Sequence, residues 1–148
     1  MTNILDLLGR ILISALFLLN GFFKINNYDG TVDWMESFGL PGILIIPAII
    51  LEIAGPILII IGYKIRISAA LLSVFCITTA VIFHTDFSNQ MQFVSFFKNI
   101  GLAGGFLFLV IKFLVVVYLL AYKITDILRR NIIRVYTEFV QKSVVYIS

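Results

Sequence analysis

The chain has 148 residues, 61% of them hydrophobic and only 13% charged, with a mean hydropathy of +1.08. A soluble domain holds roughly 45–50% apolar and about 25% charged residues, so this composition excludes an ordinary soluble domain. One cysteine and one histidine exclude an intrachain disulfide and leave most zinc and haem arrangements short of ligands. The net charge is +3, but its basic residues do not alternate with exposed aromatics, so no nucleic-acid partner is expected.

A membrane-spanning helix needs about 20 predominantly apolar residues. Four such stretches follow one another: residues 4–23, 41–63, 67–83 and 100–122. The first has no small-residue cleavage site behind it, so it is expected as a retained span and not a signal peptide. Between spans one and two lies a loop, residues 26–40, with Asp29, Asp33 and Glu36 around Trp34, a residue suited to the interface. Gly62-Tyr63-Lys64-Ile65-Arg66 makes a tight turn into span three. Residues 85–98, polar at first and then aromatic, are expected as a loop along the surface. Beyond span four, Ile124, Ile127, Leu128, Ile132, Val135 and Phe139 fall near helical spacing, with Arg129, Arg130, Arg134, Glu138 and Lys142 between them. That is a basic amphipathic helix suited to an anionic leaflet or to a docking partner. The expected architecture is all-α: an integral membrane four-helix bundle over residues 1–122, then a cytoplasmic amphipathic basic tail over 123–148.

Charge fixes an expected orientation. Lys64, Arg66, Lys123, Arg129, Arg130, Arg134 and Lys142 flank one side, and only Lys24 and Lys98 the other. The positive-inside rule puts both termini in the cytoplasm.

Glu52 stands out because a charge near the bilayer centre costs at least about 2.5 kcal/mol and is normally paired or turned to a polar cavity. Each span gathers small and polar residues at helical spacing: Arg10, Ser14, Phe17, Gly21 and Lys24 in the first; Ala48, Glu52, Gly55, Ile59 and Gly62 in the second. In the third the stripe is Arg66, Ala70, Ser73, Ile77, Ala80 and His84; in the fourth, Gly101, Gly105, Phe108 and Lys112. Inward-facing stripes of this kind allow close packing in lipid. At about 1.5 Å per residue Glu52 lies roughly 16 Å from the start of span two, near the depth of Lys112 and within reach of Arg10. The expected partner of Glu52 is therefore Arg10, Lys112 or both. A second polar group, Lys24, His84, Lys98 and Asn99, sits at span ends and is expected to converge at one mouth of the bundle. Glu52 and His84 are the candidate catalytic groups, as proton carriers. The alternatives stay open: a structural ion pair at Glu52, a hydrogen-bonded helix end at His84, snorkelling at Lys24 and Lys98. Cys76 reads as a small core residue.

These residues resemble the DoxX family of small bacterial membrane proteins. The likeness runs from Leu8-Gly9-Arg10 through Phe17-x-x-x-Gly21-x-x-Lys24, Glu52-x-x-Gly55 and Gly62-x-x-x-Arg66. It continues with His84, Phe97-Lys98-Asn99-Ile100 and Gly104-Gly105. The resemblance implies a four-helix protein of the bacterial cytoplasmic (inner) membrane, and a role beside quinone-linked redox systems. The family is named after a subunit associated with a terminal quinol oxidase. It implies Arg10, Lys24, Glu52, His84, Lys98 and Asn99 as the ligand-binding set. No cofactor is expected to be intrinsic; a quinone is the expected ligand. The expected partners, besides lipid, are a membrane or redox subunit or a second copy. The other functional class, a non-catalytic anchor or assembly subunit, needs only the bundle and its tail. Lys112 and the length of the tail depart from the family pattern.

Overall fold

The computed structural model describes residues 4–145, with side chains over 4–112 and 114–137. Five α-helices account for the fold: α1 (Ile4–Asn26), α2 (Tyr28–Ser37), α3 (Ile45–Ile61), α4 (Ile65–Phe83) and α5 (Gln90–Val145), with one 3-10 turn, Gly42–Leu44, ahead of α3. Four helical stretches are long and apolar enough to cross a membrane: α1, residues 42–61, α4 and part of α5. The protein is an all-α membrane protein, and the described residues of unit Met1–Ile111 form a bundle. The remainder, Lys112–Ser148, is a separate unit. Its described part belongs to α5, a helix of 56 residues. At about 1.5 Å per residue such a helix far outruns a hydrocarbon core of about 30 Å. In the tail, Ile124, Ile127, Leu128, Ile132 and Val135 are exposed. Glu138, Phe139 and Lys142 fall outside the described side chains.

Local chemistry explains the helix ends. Asp6 stands in the first turn of α1 and Lys24 in its last, each matching the sign the helix dipole favours. At the end of α3, Gly62 takes φ +84°, the Gly62 N–H donates to the Ile59 carbonyl, and the Tyr63 N–H to that of Leu58. This left-handed closure, followed by Lys64 at φ 45°, gives the tight turn into α4.

Two expected loops are partly helical. Residues 26–40 contain α2, closed by the Gly39 N–H donating to Glu36 and the Leu40 N–H to Met35, with Gly39 at φ +76°. Its three acidic residues hide it from a hydropathy reading, yet Thr31 and Met35, one turn apart, are buried. Residues 85–98 also fold differently: α5 begins at Gln90, where Asn89 Oδ1 accepts the N–H groups of Met91 and Gln92. This is an N-cap, and it starts the fourth spanning helix ten residues before the hydrophobic run.

The main core joins Phe17, Ile59, Ala69, Leu72, Cys76, Ala103 and Phe106. α1 packs closely on α3, and α3 on α4; α5 joins the same core. It is tied in by the Phe106 ring, edge-on to Phe17 at 5.2 Å, and by the Ser73 hydroxyl donating to the Ala103 carbonyl at 3.1 Å. Ser14, Phe17 and Gly21, and Glu52, Gly55 and Ile59, are buried as their stripes require. The other two stripes are rotated. α4 buries Ala69, Leu72, Ser73, Cys76, Ala80 and Phe83, and exposes Arg66 and Ile77. α5 buries Ala103 and Phe106, and exposes Gly101 and Phe108. A Cβ at Gly101 would meet nothing within 4 Å, whereas one at Gly105 would stand 2.8 Å from Ile13 Cδ1, so only the second glycine of the Gly101-x-x-x-Gly105 pair meets a neighbouring helix. The buried face of α5 is set by Ala103 and Phe106, with Gly105 against Ile13 of α1.

Candidate binding cavity

Glu52 is 2% exposed, and its partner is Lys24, not Arg10 or Lys112. The Lys24 ammonium donates to both carboxylate oxygens, at 2.6 Å to Oε1 and 2.5 Å to Oε2. The cause is the stagger of α1 on α3. A Cβ on Gly21 would stand 2.8 Å from Ile53 Cγ1 and 3.4 Å from Glu52 Cβ. Gly21 thus lets α1 approach at the level of Glu52, and Lys24, one turn further on, reaches the carboxylate with its flexible stem. Arg10 instead pairs with Asp6 within α1 and lies beside Gly62, near the other end of the bundle.

Pro56 lies inside α3, four residues after Glu52. Proline has no N–H, so the Glu52 carbonyl loses its usual helical donor. Sequence therefore places two oxygen functions of one residue, side chain and carbonyl, outside the ordinary α3 ladder.

The Lys24–Glu52 pair borders a cavity of about 270 Å³ beneath α2. Its polar lining comes from every helix of the bundle: Asn20 and Lys24 of α1, Thr31 of α2, Glu52 of α3, Thr78 and Thr79 of α4, and Lys98 and Asn99 of α5. His84 closes the end of α4. Phe17, Trp34, Met35, Phe75, Ile82 and Phe83 supply apolar wall. Lys24, Glu52, His84, Lys98 and Asn99 thus line one space; Arg10 does not. Lys24 and Lys98 against Glu52 leave one net positive charge in the lining.

The roof is aromatic. The Trp34 ring stacks on Phe83 with centroids 4.4 Å apart and planes at 24°. Phe38 meets Phe83 edge-on at 5.2 Å, and Trp34 lies 6.3 Å from the His84 ring. Burial, and after it the charge of Lys98, lowers the pKa of His84 from its ordinary value, so the imidazole is neutral near pH 7 and able to accept a proton. A second cavity, of about 320 Å³, lies between the end of α1 and α2 and shares Asn20, Lys24, Thr31 and Trp34 with the first.

Sequence reading did not single out Asn20, Thr31, Thr78 or Thr79. Asn20 carried a signal, since it stands one turn before Lys24. Thr31 lay in an expected loop, and the α4 threonines lay beside the expected stripe. The Thr78 and Thr79 hydroxyls donate to the Val74 and Phe75 carbonyls, satisfying them within the helix as an apolar surrounding requires. No group of three or more metal-ligating side chains occurs among the described residues.

A small helical membrane protein with a polar cluster at one end of its bundle is the class this architecture defines. Residues 5–85 match the DoxX family, and the chain belongs to that family. It is 38% identical over 105 residues to inner membrane protein YqjF of Escherichia coli strain K12, covering 71% of this chain and 81% of that protein. Inner membrane protein YphA of the same organism is 36% identical over 115 residues, 73% of this chain and 82% of the relative. No solved structure matches significantly.

Proposed function

We propose that the cavity binds the head group of a quinone or quinol, and that the chain serves as a small quinone-binding subunit beside a redox partner in a bacterial inner membrane. The observation that carries this reading is the lining itself. Flat aromatic and aliphatic walls suit a six-membered ring, while Lys24, Lys98 and Asn99 present donors toward its oxygens. The volume is near the lower end of small-molecule sites, enough for a head group.

Quinol oxidation releases two electrons and two protons. Neutral His84 takes one proton and the Lys24–Glu52 pair relays the other. Both electrons pass to an acceptor held by the partner subunit. The family resemblance and the printed names of the relatives support a membrane setting for this chemistry.

The test is direct. Protein purified from native membranes in mild detergent should carry about one quinone per chain, read by extraction and mass spectrometry. Glu52→Gln and His84→Ala should each lower that occupancy while the protein stays helical. A wild-type protein free of quinone would overturn the reading. The second reading, a non-catalytic anchor or assembly subunit, is favoured by the length of α5, which continues to Val145. It predicts no quinone, and loss of a co-purifying partner when residues 124–148 are deleted.

A further inference from the structure

Thr78 belongs to two surfaces. It lines the cavity, and it is exposed. On α4 it stands in the row Leu71, Val74, Thr78, Val81, where the three apolar members are 53%, 63% and 55% exposed. Residues three and four apart share a helix face, so this row is the side that α4 turns to lipid. A cavity walled by a member of that row reaches the lipid face.

Depth places the opening. The Ser73–Ala103 hydrogen bond sets the antiparallel register of α4 and α5. Five residues toward the α2 end from each lie Thr78 and Lys98, both exposed and both lining the cavity. Ser73 is near the middle of α4, so Thr78 lies roughly 7–8 Å from the midplane, inside a hydrocarbon half-thickness of about 15 Å.

We infer that the cavity opens sideways into the hydrocarbon between α4 and α5, and that its ligand is an amphiphile whose apolar tail lies in that gap. This rests on the quinone reading and narrows it from any quinone ring to a tailed, lipid-dissolved one. Lys98 sits at the rim, with its stem along the apolar edge and its ammonium toward the head group. The tail needs no polar partner in the gap, since the Thr78 hydroxyl is already bonded to Val74.

The experiment compares two probes on the full chain in lipid nanodiscs: ubiquinone-2, which carries a short isoprenoid tail, and the tail-less dimethoxy-methyl-benzoquinone. Thr78→Trp fills the gap. Val81→Trp, on the same lipid-facing row but away from the cavity, is the control. Thr78→Trp should weaken the tailed quinone by about tenfold or more beyond any effect on the tail-less ring. Val81→Trp should change neither. Unchanged affinity of Thr78→Trp for the tailed quinone would overturn the lateral opening. So would an equal loss for both probes, which would mean a blocked or collapsed cavity. Wild-type protein that binds neither probe would instead remove the quinone reading beneath it.

Discussion

The buried Lys24–Glu52 pair is the residue-scale feature on which the site depends. Removing one partner of a buried pair leaves an uncompensated charge, at about 3–5 kcal/mol when burial is complete. The Lys24 side chain keeps 22% of its surface exposed, so Lys24→Met should sit at the lower end, about 3 kcal/mol. The double variant Lys24→Met/Glu52→Leu should recover most of that loss, because no charge is left behind. Thermal unfolding in detergent reads both. Equal melting temperatures for wild type and Lys24→Met would mean that the pair does not hold α1 on α3.

His84 is the chain's single histidine, so its titration is observable without assignment by NMR of labelled imidazole. Its pKa is lowered, first by burial and then by Lys98; Lys24 of α1 and Glu52 of α3 line the same cavity. A lowered folded pKa means that the unfolded chain binds the proton first as pH falls. Stability is therefore unaffected well above the unfolded value of about 6.5 and declines as pH drops below it. His84→Gln should flatten that decline. Lys98→Met should move the imidazole titration upward by removing the second cause. A downward or absent shift would mean that Lys98 does not face the ring.

At the scale of elements, the glycines divide by what surrounds them. Gly21 has Ile53 2.8 Å from where a Cβ would sit, whereas Gly101 has nothing within 4 Å. Gly21→Val should force α1 off α3, disturb the reach of Lys24 to Glu52 and lower thermal stability. Gly101→Ala should be neutral or stabilising, by up to about 1 kcal/mol of helix propensity. Comparable losses at the two sites would show that α5 packs through its Gly101 face after all.

For the whole molecule, the orienting charge is the sequence's own. Seven basic residues flank one side against two on the other, and by the positive-inside rule a reporter fused after the last residue should behave as cytoplasmic. α2 and the α2 end of the bundle then face the periplasm. An impermeant thiol reagent applied to intact cells whose outer membrane has been permeabilised should label Asp33→Cys, an exposed α2 position, and spare Lys64→Cys. The reverse pattern would invert the topology.

Hydrophobic composition alone determined that this is a helical membrane protein with four spans, because lipid leaves the backbone few ways to satisfy its own hydrogen bonds. Buried stripes of α1 and α3 were legible too: a helix interface in lipid selects small residues, and Ser14, Gly21 and Gly55 mark it. So was the pairing of Glu52 with some cation, since an isolated carboxylate is too costly there. Which cation was not legible. That choice rests on the stagger of α1 against α3, a sliding coordinate set by packing at Gly21 and Ile53. A count of residues from each helix end cannot see that stagger, and it named Arg10 and Lys112 instead of Lys24. The rotation of α4 and α5 was hidden for a similar reason: their buried faces are chosen by Leu72, Phe106 and Ala103 fitting neighbours far away in sequence. The gathering of Lys24, His84, Lys98 and Asn99 was legible from their places at span ends; only the tertiary structure placed Trp34 over Phe83 and brought Glu52 to the same cavity, because only packing sets the register between helices.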